Sequence, residues 1–280
     1  MSNLRRQLKE RDIRPRKSLG QHFVVDARVL GRIVDCAELE KEDIVVEIGA
    51  GVGNLTAPLA ERVKKVYALE IDPRLAEVLR EKFGQDSRVE IIEGDALPFD
   101  FASLLRKGRQ RMKVVANLPY EISSPMIFRL LEERKCFSLL VLMLQMEVAR
   151  RIVAERGTKD YGPLSVWCQL YTRPEIMFSI PPGAFHPRPR VDSALMKFEI
   201  LPRPKVEIGD EQVLHRVIRS AFGHRRKTLT NAIQMGEFAH LPKERVQQVL
   251  RSIGINPDAR GETLTLKQFG DLARAISTAS

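Results

Sequence analysis

The sequence predicts an α/β fold, in which a parallel sheet carries helices on both faces and is followed by a small α-helical domain. Two observations lead to this fold class. In the first part of the chain, short apolar runs alternate with segments of helical periodicity, which is typical of buried parallel strands joined by helices. After about Pro202 the apolar residues keep a helical spacing instead, as they do over residues 213–222.

Each predicted element follows from a local pattern. Short apolar runs predict strands, which lie within residues 43–48, 63–71, 88–92, 112–116 and 138–144. A proline at the first position predicts a helix from Pro73 to Phe83. Thr265 is a favourable N-cap and predicts a last helix that extends to Ile276. We therefore expect an α/β domain over residues 1–204, with a basic N-terminal arm, and a helical domain over residues 205–280.

The composition indicates a globular protein, and its charge is compatible with a polyanionic partner. The apolar fraction of 44% is ordinary for a folded chain. The formal net charge is +10 and the pI is about 9.7, and an excess of lysine and arginine is well suited to neutralising phosphates. A basic enzyme that binds no nucleic acid is the alternative. The first seventeen residues are polar and basic, and they predict either an arm that contacts RNA or a solvated terminus.

The cysteines and the apolar runs indicate the compartment. Cys36, Cys136 and Cys168 form no C-x-x-C pair, so neither a disulfide framework nor a metal site is predicted. The basic start of the chain leads into no apolar signal region, and no apolar run is long enough to span a bilayer. We expect a cytoplasmic protein with reduced thiols.

A glycine-rich loop follows the first predicted strand. The segment from Glu47 to Asn54 reads E-I-G-A-G-V-G-N, and glycines after a strand let the backbone approach a ligand closely. A dinucleotide fingerprint requires G-x-G-x-x-G, but here Asn54 occupies the position of the third glycine. This spacing weakens the interpretation as an NAD site without excluding it.

Acidic residues are placed at the ends of three successive predicted strands. Glu47, Glu70 and Asp95 have these positions, and open α/β sheets bind ligands at the carboxyl ends of their strands. A carboxylate at Glu70 can accept hydrogen bonds from both ribose hydroxyls, and Asp95 can accept from an adenine amine. S-adenosylmethionine has ribose, adenine and a sulfonium but no phosphate, and the glycine loop has no lysine or arginine. The pattern therefore predicts that cofactor. Taken singly, each acid would more often be structural, and Asp95 could simply cap a turn.

The fourth predicted strand ends in the motif Asn117-Leu118-Pro119-Tyr120. An adenine amine is a poor nucleophile because its lone pair is delocalised into the ring. If Asn117 and the Leu118 carbonyl accept its two N–H bonds, the nitrogen can become pyramidal, and alignment with a sulfonium methyl supplies much of the remaining effect. Pro119 stiffens the turn, and Tyr120 can stack on the extruded base. The alternative is a plain turn after a strand.

A second aromatic residue, Phe185, begins a proline-rich segment that continues to Ser193. Prolines hold such a loop rigid and extended. The loop could present Phe185 to the opposite face of the base, and otherwise the ring fills the core.

Taken together, these motifs resemble the ribosomal RNA adenine dimethyltransferase family of the KsgA/RsmA type. The resemblance extends over nearly the whole chain from Arg16. The matching segments are 17–23, 47–56, 70–72, 94–97, 117–120, 161–166, the Phe185 loop and 222–229.

The resemblance implies a Rossmann-like methyltransferase fold that uses S-adenosylmethionine, together with a helical domain that helps to bind RNA. The implied substrate is a pair of adjacent adenosines in the 3′-terminal hairpin loop of small-subunit (16S) ribosomal RNA, each dimethylated while the immature 30S subunit is assembled. The protein is expected to act as a monomer. The cofactor contacts implied by the resemblance are His22, Val24, Gly49, Glu70, Asp95 and Asn117. The basic cluster Arg225, Arg226 and Lys227 is expected to contact phosphates.

The sequence departs from the family at two of these positions, where Asn and Leu are usual and His22 and Val24 occur here. Three alternatives remain open. A large-subunit ribosomal RNA adenine methylase would share the cofactor and acceptor motifs, although the basic segment 222–229 favours the small-subunit enzyme. A non-catalytic RNA-binding assembly factor would not need the intact acceptor motif. An oxidoreductase would require NAD binding.

Overall fold

The computed structural model describes residues 13–16, 19–105, 111–224 and 226–279. The described residues form two compact units. The first contains the chain up to Ala149 together with Arg173–Ile200, and the second contains Arg150–Thr172 together with the chain from Leu201 onward.

The secondary structure consists of alternating strands and helices, followed by helices alone. The strands are β1 (Phe23–Val24), β2 (Ile44–Ile48), β3 (Lys65–Glu70), β4 (Val89–Glu93), β5 (Met112–Asn117), β6 (Phe137–Gln145), β7 (Thr172–Ile180), β8 (Phe185–His186) and β9 (Ser193–Ile200). The helices are α1 (Ala27–Cys36), α2 (Thr56–Ala60), α3 (Pro73–Phe83), α4 (Ser123–Glu132), α5 (Met146–Ile152), α6 (Pro163–Tyr171), α7 (Glu211–Gly223), α8 (Leu229–Met235), α9 (Lys243–Ser252) and α10 (Leu266–Ala279).

The main sheet has the strand order β4-β3-β2-β5-β6-β9-β7. The pairs among β2 to β6 are parallel, whereas β9 is antiparallel to β6. Because the chain order reverses between β2 and β5, the loops that follow these two strands diverge and leave a crevice at the carboxyl edge of the sheet. Ile48 is in register with Leu69 on one side and Ala116 on the other. The glycine loop, Glu70 and Asn117 are therefore brought together at this edge.

Local sequence explains where the main helices of the first unit begin. The Asp26 side chain accepts hydrogen bonds from the backbone amides of Arg28 and Val29 at the start of α1, and Asp72 accepts from the Arg74 amide at the start of α3. Such caps satisfy backbone N–H groups that have no partner within the helix. The strands between these helices are almost fully buried, and they form the core beneath the site.

In the second unit, helices α7 to α10 pack around aromatic side chains. The ring of Phe222 stacks on Phe269 at a centroid distance of 5.8 Å and meets Tyr161 edge to face at 5.9 Å. The Tyr161 hydroxyl donates to the Leu264 carbonyl at 3.2 Å. These contacts join the segment 161–166, which resembles the family, to the C-terminal helices of the same unit. No helix among the described residues has the length and apolar character needed to cross a membrane.

The predicted fold class is confirmed, and all five predicted strands are present close to their expected bounds. The strands β7 and β9 were not predicted. Only strands that alternate with helices along the chain were located from the sequence, and β7 and β9 do not belong to that alternating series. The division at residues 204 and 205 stays a prediction. The compact units differ from it in grouping residues 150–172 with the C-terminal helices.

Candidate active site

The glycine loop after β2 has a backbone that other residues adopt only with strain. Gly49 and Gly51 have φ values of +73° and +61°, a region that favours glycine. A Cβ atom on Gly51 would lie 2.8 Å from Cε1 of Phe23, which is too close for two carbon atoms. The amide of Gly51 donates to Glu70 Oε2 at 2.8 Å. The loop therefore has the conformation that lets its backbone hold the carboxylate at the end of β3.

Glu70 is held rigidly at the bottom of the crevice. Its side chain is only 4% exposed, and its second oxygen, Oε1, accepts from the Asp72 amide at 2.9 Å. Burial raises the pKa of this carboxyl, while the hydrogen bonds from Asp72 and Gly51 oppose that effect. Because a carboxylate has about four acceptor positions, two backbone donors leave it able to accept from the hydroxyls of a ligand.

A second buried acid, Glu47, lies on β2 next to the same loop. It is 1% exposed, and its Oε2 accepts from Thr56 Oγ1 at 2.6 Å. Burial is the main reason that the pKa of Glu47 is raised to about 8. The hydrogen bond from Thr56 opposes this effect, the nearby Glu70 adds to it, and Lys82 opposes it. Lys82 reaches the loop from α3, with Nζ 3.3 Å from the Gly53 carbonyl oxygen.

Asn117 ends β5 with its side-chain orientation fixed. Its Nδ2 donates to the backbone oxygen of His22 at 2.5 Å. Since only the amide nitrogen can donate to a carbonyl, this contact fixes the orientation of the amide and leaves Oδ1 as an acceptor with no hydrogen-bond partner among the described residues. The motif continues through a turn in which the Pro119 carbonyl accepts from Ser123 Oγ at 3.0 Å. The turn therefore places Leu118 and Tyr120 beside the Asn117 amide.

Tyr120 and His22 form one wall of the site. Their rings stack with centroids 5.4 Å apart and an angle of 29° between the planes. The Tyr120 hydroxyl is 2.7 Å from Ser193 Oγ, and burial raises the pKa of the tyrosine. His22 Nδ1 is 2.7 Å from the Pro187 carbonyl oxygen, so this nitrogen is the donor and carries a proton. The two contacts attach both ends of the segment 187–193 to this wall.

These residues line two adjoining clefts at the carboxyl edge of the sheet. The first, with an empty volume of about 460 Å³, is lined by residues 19–23, Gly49, Glu70, Ile71 and residues 117–120. The second, of about 350 Å³, is lined by Glu47, Asn54, Leu55 and Met143, among others, and shares Phe23, Gly49 and Asn117 with the first. Among the described residues, neither lining contains a lysine or an arginine.

The linings fit S-adenosylmethionine better than a pyrophosphate. A dinucleotide or nucleotide site normally sets cationic side chains or helix amides against phosphate, whereas these clefts contain the acids Glu47 and Glu70 and, among the described residues, no lysine or arginine. A sulfonium carries positive charge, which the carboxylate of Glu70 favours. The buried carboxylate of Glu70 is suited to a ribose, and the glycine loop leaves open space beside it. These are the features expected of a site that holds this cofactor.

Two predicted cofactor positions contribute through their backbone. The carbonyl of His22 accepts from Asn117, and the carbonyl of Val24 accepts from Asn54 Nδ2 at 2.9 Å. Replacement of the side chains usual in the family therefore leaves these hydrogen bonds in place. In the sequence, Asn54 stands where the dinucleotide fingerprint has its third glycine. In the structure it connects the glycine loop to β1.

Asp95 and Phe185 are placed differently from the other predicted site residues. Asp95 is exposed, lines neither cleft, and its Oδ1 accepts from the Leu97 amide at 2.9 Å. It therefore caps a turn, and its role toward adenine stays a prediction. Phe185 is 1% exposed and packs in the core. It pairs with Val24, and both side chains lie in the same core cluster. This burial favours the alternative that the ring fills the core, and a role for Phe185 toward the base stays a prediction.

The predicted RNA contacts are only partly within the described residues. Arg225, residues 1–12 and Lys17 lie outside them. Arg226 and Lys227 are exposed in the connection between α7 and α8. In the N-terminal arm, the Arg16 guanidinium is 3.8 Å from the Asp72 carboxylate, so this cation is already paired within the protein.

Several residues that organise the site were not predicted from the sequence. Thr56 and Ser193 donate or accept hydrogen bonds at Glu47 and Tyr120, and the Pro187 carbonyl orients His22. Ser193 and Pro187 are far from their partners in the chain, so no local pattern pointed to these contacts.

Comparison with known proteins gives one consistent family. The profile of the family described as "Ribosomal RNA adenine dimethylase" matches residues 13–277. The small-subunit ribosomal RNA methyltransferase A of Geobacter metallireducens is 47% identical over 265 residues, which cover 94% of this chain and 96% of that protein. The protein of the same name from Pelotomaculum thermopropionicum is 43% identical over 274 residues, with coverage of 95% and 92%.

Two solved structures are similar over most of their length. A dimethyladenosine transferase from Plasmodium falciparum has a TM-score of 0.76 and 26% identity, with 92% of this chain and 98% of that chain covered. The 23S rRNA methyltransferase ErmE has a TM-score of 0.64 and 27% identity, with 91% and 99% covered.

Proposed function

Because the chain belongs to the ribosomal RNA adenine dimethylase family, we propose that its substrate is the small-subunit ribosomal RNA. The protein dimethylates the N6 amines of two adjacent adenosines in the 3′-terminal hairpin loop of this RNA. The protein is an S-adenosylmethionine-dependent rRNA adenine methyltransferase. The observation that carries the methyl-transfer part of the proposal is the orientation of Asn117, whose amide nitrogen donates to the His22 carbonyl while Oδ1 has no hydrogen-bond partner among the described residues and lies beside the cleft.

Asn117 and its neighbours activate the adenine amine. The free Oδ1 and the Leu118 carbonyl accept the two N–H bonds, which draws the nitrogen lone pair out of conjugation with the ring. The Tyr120 ring offers a face on which the extruded base stacks. The hydrogen bond to Ser193 and the stack against His22 hold that ring in place.

The remaining cleft residues bind and orient the cofactor. Bound S-adenosylmethionine supplies an activated methyl group, so alignment of the amine contributes most of what the protein must add. Glu70 accepts from the ribose hydroxyls, with its carboxylate held in position by Gly51 and Asp72. After transfer, the positively charged nitrogen loses its proton readily, and no strong base is needed in the cleft.

The small subunit is favoured over the large subunit by similarity. The relatives that share 41–47% identity over most of this chain are named small-subunit methyltransferases, whereas the 23S enzyme ErmE shares 27%. The partner is then the immature 30S subunit, on which we propose that the protein acts as a monomer in the cytoplasm during assembly.

The experiment compares substrates directly. Purified protein and S-adenosylmethionine are incubated with small subunits that lack this methylation, and in parallel with large subunits. Nucleoside analysis of the digested RNA is expected to give dimethyladenosine from the small subunit alone. Transfer to the large subunit alone would favour the 23S activity, and binding of the small subunit without any transfer would favour a non-catalytic assembly factor.

A further inference from the structure

The segment between β8 and β9 is a rigid loop attached to the acceptor side of the cleft. We define it as the rim loop, residues 187–192. At one end the Pro187 carbonyl receives the His22 hydrogen bond at 2.7 Å. At the other, the Asp192 carbonyl accepts from the Met146 amide at 3.0 Å, and the next residue, Ser193, contacts the Tyr120 hydroxyl. Both ends of the loop are thus fixed to the wall on which the base is proposed to stack.

The sequence of the rim loop keeps it stiff and displays its charged residues. Pro187 and Pro189 have restricted φ angles, and each also restricts the residue before it to extended conformations. Pro189 is buried, while Arg188 and Arg190 on either side of it are exposed. Two guanidinium groups are therefore presented from a backbone that loses little further freedom when it binds a partner.

These two arginines have no partner among the residues that the structure describes. Neither side chain forms an ion pair or a hydrogen bond with them, in contrast to Arg74, Arg80 and Arg88, which are paired with carboxylates. An unpaired guanidinium is suited to bidentate contact with phosphate. Val191 follows them and is 46% exposed. Among the described residues, it is one of three large apolar side chains that are exposed to solvent.

We propose that the rim loop binds the RNA strand next to the target adenosine. In this arrangement Arg188 and Arg190 contact the flanking phosphates, and Val191 packs against the neighbouring nucleotide. Contacts that hold the strand on either side of an extruded base would help to position that base in the cleft. The loop is joined to Tyr120 and His22, so the same contacts that place the base-stacking wall also place the phosphate contacts. These residues position the substrate and take no part in bond formation.

The test removes the two charges and keeps the fold. The variant is Arg188→Gln/Arg190→Gln, and binding of unmethylated small subunits is measured over a range of salt concentrations. Each lost phosphate contact lowers the slope of log affinity against log salt by about 0.7 for a single strand. We therefore expect the slope to fall by about 1.4, with an affinity loss of about 25-fold near 0.1 M salt. S-adenosylmethionine binding by calorimetry should be unchanged.

A matched control removes the same charge elsewhere. The control variant is Lys41→Gln/Arg173→Gln, which removes two cations near the amino edge of the sheet. Lys41 lies before β2, and Arg173 pairs with Glu199 near the end of β9. This variant should keep the wild-type salt slope. In a third variant, Val191→Ser should lower kcat/KM for the small subunit several-fold without changing the slope, because an apolar contact releases no counterions.

The proposal rests on the proposed function, and the two fail in different ways. If wild-type protein methylates no small subunit, the proposed substrate is wrong. If wild type is active and the Arg188→Gln/Arg190→Gln variant keeps both its affinity and its salt slope, the rim loop does not contact phosphates and this inference is overturned. A slope that falls equally in the control variant would overturn it as well, since the effect would then be one of net charge.

Discussion

Replacing Glu47 with glutamine should change how stability depends on pH. The carboxyl is almost fully buried and accepts a hydrogen bond from Thr56, and burial raises its pKa from 4.5 to about 8. In the unfolded chain a glutamate titrates at about 4.3. Between these two values the folded chain keeps a proton that the unfolded chain has lost. The stability that Glu47 contributes is therefore fully present below about pH 4 and is lost as the pH rises towards 8.

The size of the effect follows from the difference between the two pKa values. Each unit is worth about 1.4 kcal/mol, so the free energy of unfolding should fall by at most about 5 kcal/mol across this window because of Glu47 alone. Glutamine has nearly the same shape, stays neutral at every pH and still accepts from the Thr56 hydroxyl. Glu47→Gln should therefore remove this term, and its stability relative to wild type should rise from pH 5 to about pH 8 and then level off.

The measurement is urea unfolding of both proteins at pH 5, 7 and 9, each in buffers of equal ionic strength. Glu42→Gln serves as the control, because Glu42 is 74% exposed in an ion pair with Lys64 and such pairs contribute about 0–1 kcal/mol. If the difference between Glu47→Gln and wild type is the same at pH 5 and pH 9, the carboxyl is ionised in the folded protein and the reasoning from burial is wrong.

Three further predictions concern ligands. Glu70→Ala should weaken S-adenosylmethionine binding by about 10- to 150-fold in calorimetry, because a charged acceptor is worth about 1.5–3 kcal/mol; unchanged affinity would show that Glu70 makes no ribose contact. Tyr120→Ala should lower kcat/KM for the small subunit by the equivalent of about 1–3 kcal/mol of stacking, and Tyr120→Phe, which keeps the ring, should lose much less. Arg226→Gln/Lys227→Gln should reduce the salt slope of small-subunit binding by about 1.4, and an unchanged slope would show that these exposed cations face only solvent.

The parts of the fold and site that could be predicted are those with a local cause. A buried parallel strand is a short apolar run wherever it occurs, so β2 to β6 could be located from the sequence. Parallel strands end at a common edge of their sheet, and this rule alone predicts that Glu47, Glu70 and Asn117 lie close together.

The remaining features depend on partners distant in the chain. Phe185 packs in the same core cluster as Val24, its partner in the β1–β8 pair, and nothing in a proline-rich loop indicates whether a ring faces the core or the solvent. For Asp95 the sequence pattern is ambiguous, because an aspartate after a glycine can either cap a turn or bind a ligand. The role of Ser193 arises only when β9, an antiparallel strand, returns beside β6 and meets Tyr120.

The central claim is that Asn117 activates the adenine amine, and methyl transfer by Asn117→Ala tests it most directly. The assay uses unmethylated small subunits at saturating S-adenosylmethionine, so that any loss of cofactor affinity is overcome, and the product is measured as dimethyladenosine. Gln169→Ala is the control, because it also removes hydrogen bonds from a side-chain amide to backbone carbonyls, but in the second unit. We predict that Asn117→Ala binds the small subunit nearly as wild type does and loses most of its turnover, while Gln169→Ala stays active. Near-normal dimethyladenosine formation by Asn117→Ala would contradict the claim.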